Sequence, residues 1–194
     1  MASSVQLRSK QETIAAGPES WRRSPDLVAR LQKGEAVVAA EAVTEWGALV
    51  TAYLYFPQAP ACVWEPLSDC AAWPQLLPSL SESYRLHEPE PADRALLYQA
   101  AGFRFLCFHP KVETYLQVRE RSPHCLTFRQ VRGTLARFAA ELSVSDWVGG
   151  TLVTYKVSAR LPQPLPVLLL RQGIQGVLPY NLQALRRSLL QALA

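Results

Sequence analysis

Arg129, Glu113 and Tyr155 are the residues of this 194-residue chain whose types could hold a polar head group. Arg129 with Glu113, or Arg129 with Tyr155, would give a carbonyl or a carboxylate a charge-assisted donor beside a second polar contact. Bond-making chemistry asks for more, namely a positioned acid, base or nucleophile. His87 falls at a strand end, His109 before a proline and His124 in a turn, which are places where surface histidines sit. No Gly-rich phosphate loop, G-x-S-x-G turn or metal triad is spelled out. Cys62, Cys70, Cys107 and Cys125 lack CxxC spacing, so they read as small buried hydrophobes in a reducing compartment. Asp69 reads as a local cap before Trp73 rather than as a cavity carboxylate. The expected chemistry is binding, with no catalytic residue, metal or cofactor assigned.

Composition narrows the partner. Hydrophobic residues make up 49% of the chain and charged ones 19%, a balance that builds a core rather than a disordered coil. The formal charge of +4 comes mostly from residues 1–33, with six Lys/Arg against three Asp/Glu, whereas 34–194 carry fourteen against thirteen. A nucleic-acid partner needs a concentrated basic face. The one cluster, Arg119, Arg121, Arg129, Arg132 and Arg137, reads as a solvated strand edge, so nucleic acid is not expected. Leu165 to Leu170 is the most apolar run and is far shorter than the roughly 20 residues that span a bilayer. No basic-then-apolar leader opens the chain, and the expected location is the cytoplasm.

The elements that would position these residues follow from periodicity. Residues 1–24 are polar, with a helix starting at Ser24-Pro25-Asp26 and stopping at Gly34. Residues 35–43 form an extra strand, and 46–56 the first strand of the main sheet. Two short helices follow, marked by Val63-Trp64, Leu67, Asp69 and then Trp73-Pro74, Leu77-Pro78. Strands come next at 81–87 and 94–100. Val112, Thr114, Leu116 and Val118 alternate with Glu113, Tyr115, Gln117 and Arg119, the period-2 mark of a half-buried strand. Further strands cover 125–131, the run Phe138, Ala140, Leu142 and Val144, and the run Val153 to Leu161 beyond a Gly149-Gly150 turn. Short turns throughout imply an antiparallel sheet. From Val167 to Leu193 the period changes to three or four, a helix that Pro179 should kink or restart.

That order, together with Ala59-Pro60, Val63-Trp64-x-x-Leu67-x-Asp69 and Trp73-x-x-x-Leu77-Pro78, resembles the START-like (SRPBCC) superfamily. The subgroup it resembles is the polyketide cyclase/dehydrase and coenzyme Q-binding Coq10-type proteins, in particular small relatives common in cyanobacteria. Phe128-Arg129-Gln130-Val131-x-Gly133, Thr151-x-Val153-x-Tyr155, Pro164-x-Pro166 and Leu178-x-x-Asn181-Leu182-x-x-Leu185-Arg186 fit the same pattern. Leu142 stands where some relatives place a tryptophan.

The resemblance implies an α+β helix-grip fold, a curved antiparallel sheet wrapped around a long C-terminal helix. Residues 1–33 would be an N-terminal tail with a short helix, and 34–194 the helix-grip domain. The cavity between sheet and helix is then the default site. Its expected walls are Leu170, Ile174, Val177 and Leu178 on the helix, with Phe103, Phe105, Tyr115, Phe128, Arg129 and Tyr155 on strands and loops. Trp73, Leu76 and Leu77 would form a gate. The implied partner is a hydrophobic small molecule such as a prenylquinone, lipid or pigment, met by transient contact with a membrane surface. A cyclase or dehydratase acting on a polyketide-like substrate, or a protein-interaction module, are the alternatives. The oligomeric state is left open.

Overall fold

Eight strands pair into one antiparallel sheet in the order β1-β2-β8-β7-β6-β5-β4-β3. They are β1 Val37–Thr44, β2 Gly47–Phe56, β3 Leu80–Leu86, β4 Ala95–Gly102, β5 Lys111–Arg121, β6 Cys125–Gly133, β7 Arg137–Trp147 and β8 Gly150–Arg160. This computed structural model describes residues 24–86, 95–102, 111–121 and 124–193. Between β2 and β3 come α2 Pro60–Ser68, a 3-10 turn Cys70–Ala72 and α3 Trp73–Leu76. The C-terminal helix comes as α4 Val167–Gln172, a π turn Gly173–Val177 and α5 Leu178–Ala192. The helix-grip architecture expected from the sequence is the one observed.

Alternation divides the sheet into two faces. Leu54 and Phe56 of β2, Leu97 of β4, Leu116 and Val118 of β5, Leu126 and Phe128 of β6, Leu142 and Val144 of β7 and Val153 of β8 share one core. Leu182, Leu185 and Leu189 of α5 fill it from the helix side, with Val63 and Leu67 of α2 closing one end. Each large side chain so buried contributes about 1.5–3 kcal/mol relative to exposure.

The opposite, convex face is covered over β1, β2 and β8 by α1, Pro25–Gln32. Proline sits in its first turn with Asp26 beside it, and Leu27 and Leu31, one turn apart, bury against Val37, Tyr53 and Leu152. Gly34 ends the turn at φ +85°. A side chain there would meet the Arg186 guanidinium, which donates from Nε to the Tyr55 carbonyl at 3.0 Å. Gln183 Nε2 donates to the Gly34 carbonyl at 3.2 Å, so the helix is pinned to both β2 and this turn.

The β7–β8 hairpin turns on Val148-Gly149, one residue earlier than the Gly149-Gly150 turn expected. Both residues take positive φ, +47° and +75°, as a two-residue turn matched to strand twist requires. A β-branched residue is strained there. Val148→Asn is expected to raise stability by about 1 kcal/mol in denaturant titration, since Val148 is exposed and gives up no packing.

The C-terminal stripe runs as expected from Val167 to Leu193, and the interruption falls just before Pro179. The π turn spans Gly173 to Val177, and α5 restarts at Leu178 with Pro179 in its first turn. A proline there needs no amide donor.

Candidate functional site

Burial changes along the concave face. At the α2 end, Leu54, Phe56, Val153, Leu142 and Leu126 are buried. Trp73 stacks at 5.4 Å on Phe128 and donates its indole N–H to the Leu67 carbonyl at 3.0 Å, satisfying an orphan acceptor at the end of α2. That end is closed by buried side chains. Toward the other end, where β2 begins at Gly47 and β8 finishes at Arg160, Val38, Phe138, Val157, Leu170, Ile174 and Leu178 are only half-buried. The cause is a floor of small side chains. Ala48 pairs with Ala159, Ala140 with Val157 and Ala40 with Val50, so small side chains fall opposite one another on this part of the face. This half-buried apolar stretch of the concave face is the candidate groove, closed at the α2 end by buried side chains.

Its polar groups are neutral. Tyr155 stands mid-face, in register with Leu142 and Ala52. Burial pushes its phenol well above the usual range, with the nearby Cys70 thiol adding to the effect. The Cys70 thiol is itself pushed up to about 12, chiefly by burial, so it is neither thiolate nor nucleophile at neutral pH. Gln130, on the face of Phe128, donates Nε2 to the Leu135 carbonyl at 2.7 Å and leaves Oε1 buried without a partner. Thr114 and Gln99 lie side by side on the same face, and Gln99 donates to Ser83 at 3.2 Å. Asn181 is buried on the inner stripe of α5, between Leu178 and Leu185. These acceptors and donors can orient a ligand. None titrates near neutrality, and among the described residues no cluster of His, Cys, Asp and Glu could hold a metal.

Several expected site residues lie elsewhere. Tyr115 and Arg129 are on the convex face, because each is flanked in its strand by residues of the core face, Thr114 and Leu116 or Phe128 and Gln130. Tyr115 ends a ladder in which Tyr84 meets Tyr98 at 4.9 Å, Tyr98 meets Tyr115 at 5.1 Å, and Arg132 lies 3.9 Å above the Tyr115 ring. Glu113 belongs to that ladder. It pairs with Lys111 at 2.9 Å and accepts from the Tyr98 hydroxyl at 3.2 Å, contacts that hold its carboxyl below the usual range. Tyr155 and Arg129, on opposite faces, cannot share one head group.

Trp73 is core rather than gate, and Phe128 is its packing partner. Leu76 and Leu77 lie half-buried against the same core. Leu170 of α4, Ile174 of the π turn and Leu178 of α5 are half-buried, and Val177 ends the π turn. Phe103, Phe105, His87, His109 and Cys107 lie outside the described residues. Asp69 caps the 3-10 turn by accepting from the Ala71 amide at 3.2 Å. Cys62 is exposed rather than buried. Gln130, Thr114, Gln99 and the alanine floor were not read from sequence, although their parity with Phe128, Leu116 and Val157 points to them.

A second concavity of about 370 Å³ lies outside the groove, between Ala59-Pro60 and the β7–β8 turn. It is an open surface depression, and Asp146 is its one charged lining residue.

Solved structures share this fold. A START superfamily protein from Mycobacterium smegmatis superposes with a TM-score of 0.62 at 14% identity, covering 74% of this chain and 98% of that one. A STAR-related lipid transfer protein from Xanthomonas axonopodis gives 0.59 at 17% identity, over 81% and 94%. The Zhui aromatase/cyclase from Streptomyces gives 0.55 at 13%, over 75% and 92%. No curated protein matches the sequence. A family profile described as polyketide cyclase / dehydrase and lipid transport matches residues 49–190, nearly the whole sheet and helix. The chain belongs to that family.

Proposed function

We propose that this protein binds and carries a hydrophobic small molecule, a prenylquinone, lipid or pigment, in the groove between its sheet and C-terminal helix, without acting on it chemically. The observation that carries this reading is the half-burial of Val38, Phe138, Val157, Leu170, Ile174 and Leu178 on the facing surfaces of sheet and helix. An apolar surface left open between rigid elements is the usual form of a small-molecule site. The neutral groups Tyr155 and Gln130 would fix the polar end of such a ligand by hydrogen bonds rather than by charge. Within the family, the motif resemblance supports a role like that of the coenzyme Q-binding Coq10-type proteins, and the proposed place of action is the cytoplasm.

A second reading, a cyclase or dehydratase acting on a polyketide-like substrate, is favoured by one observation, the presence of more than one polar group on the groove wall. It would need proton transfer near neutral pH, and neither Tyr155 nor Cys70 has a pKa suited to it.

Organic extraction of the natively purified protein, followed by mass spectrometry, tests the carrier reading. The expected result is an apolar compound in near-stoichiometric amount, recovered unchanged after incubation. An empty extract, from protein that also takes up no added prenylquinone or fatty acyl lipid, would count against it.

A further inference from the structure

The end of the molecule where the groove opens is built differently from the rest of its surface. Trp46, in the β1–β2 turn, is 41% exposed, Leu165 is 44% exposed and Leu168 is 66% exposed. Two backbone hydrogen bonds tie the segment that follows β8 to this turn. The Leu161 amide donates to the Trp46 carbonyl and the Leu165 amide to the Glu45 carbonyl, each at 2.8 Å. Leu168 follows in the first turn of α4. Large apolar side chains exposed singly need no explanation, but Leu165 tied to the Trp46 turn, with Leu168 three residues on, reads as a contact surface.

Arginines border them. The Arg160 guanidinium lies 5.9 Å from the Trp46 ring centre, Arg137 is its cross-strand partner, and Arg171 is exposed on α4 one turn beyond Leu168. None of the three makes an ion pair with a described acidic residue, and Glu45 is the acid of the turn itself. Residues 34–194 as a whole are almost balanced in charge, so this excess is local.

We propose that this rim, Trp46, Leu165 and Leu168 with Arg137, Arg160 and Arg171, is a docking surface for an anionic lipid bilayer. Tryptophan and leucine enter the interfacial layer while arginines stay at the headgroup level, and both halves of the rim match that division. Each arginine near an anionic surface adds about fivefold in affinity at modest salt. A second copy of the chain fits poorly, since it would set three arginines against three. The rim lies at the open end of the groove, so a docked molecule would load or release its apolar ligand without exposing it to water. That last consequence rests on the carrier reading; the docking itself does not.

The test is co-sedimentation of the full chain with vesicles of phosphatidylcholine alone or mixed with phosphatidylserine. The wild type is expected to bind the mixed vesicles at least tenfold more tightly, with binding weakened by salt. Arg137→Ala/Arg160→Ala/Arg171→Ala should weaken that binding by roughly a hundredfold at low salt. Trp46→Ser/Leu168→Ser should weaken it at least tenfold while leaving the circular dichroism spectrum unchanged. Both variants keep residues 1–33, so equal binding by variants and wild type would assign the attraction to that segment and overturn the proposal. Failure of the wild type to prefer anionic vesicles would overturn it too, as would a dimer that the rim variants break. Ligand extraction from the same samples separates the two readings. An empty wild-type extract and no uptake of added prenylquinone or fatty acyl lipid, alongside rim-dependent vesicle binding, would sink the carrier reading and uphold docking.

Discussion

Val157→Trp is expected to weaken uptake of an apolar ligand at least tenfold while lowering stability by no more than about 1 kcal/mol. Val157 is half-buried on the concave face of β8, paired with Ala140 on β7 and Val50 on β2, inside the proposed groove. Overfilling a packed core normally costs about 1–3 kcal/mol, because neighbours must leave their rotamers. Over an alanine floor the indole has room, and it gains apolar burial at the ligand's expense. Loss of binding without loss of stability is therefore the signature of a real hollow. Chemical denaturation and titration with a fluorescent fatty acyl probe read the two quantities on the same sample. A large drop in stability would show that the groove is already filled by protein.

Phe128→Ala should behave in the opposite way, losing about 3–5 kcal/mol. Phe128 is buried and stacks on Trp73 at the plugged end, on a strand held from both sides by β5 and β7. Truncating it leaves a cavity lined by Trp73 and core leucines that α2 and α5 cannot collapse to fill. A loss of that size in denaturant titration is the expected outcome, and a Leu variant, which restores part of the volume, should recover about half of it. If Phe128→Ala instead left stability near wild type and abolished ligand binding, the plugged end would be the ligand site and the packing described here would be wrong. The two substitutions thus mark the border between core and groove, on strands two apart in the sheet.

Much of the fold was legible from periodicity. Alternation at Val112 to Arg119 and at Phe138 to Val144 fixed both the strands and their inner faces, and the three-four stripe from Val167 fixed the helix. The first strand of the sheet is β1, which the sequence reading kept as an extra, because Ala39, Ala40 and Ala42 carry little β signal and a bulge between Ala40 and Ala42 breaks the alternation.

The site was less legible, for physical reasons. Tyr115 and Arg129 looked like ligand contacts by residue type, yet each neighbours a core-facing residue in its own strand, and a strand cannot turn adjacent side chains the same way. Trp73 looked like a gate because it is large and near prolines. Its indole N–H instead found a carbonyl inside the core. Conversely, the proposed groove rests on Ala48, Ala140 and Ala159, residues that carry no chemical signal and matter by their small volume. Their effect depends on which small residues fall opposite one another across strands, and single-strand patterns do not contain that information.

The most direct test of the account is methyl NMR of the full chain titrated with an apolar ligand, by preference the compound the protein itself retains. The groove predicts shifts confined to Val38, Val157, Ile174, Leu170 and Leu178, with Val63, Leu67 and Leu189 unmoved. Shifts centred on Val148 and the depression beside it, or an unchanged spectrum at saturating ligand, would contradict it.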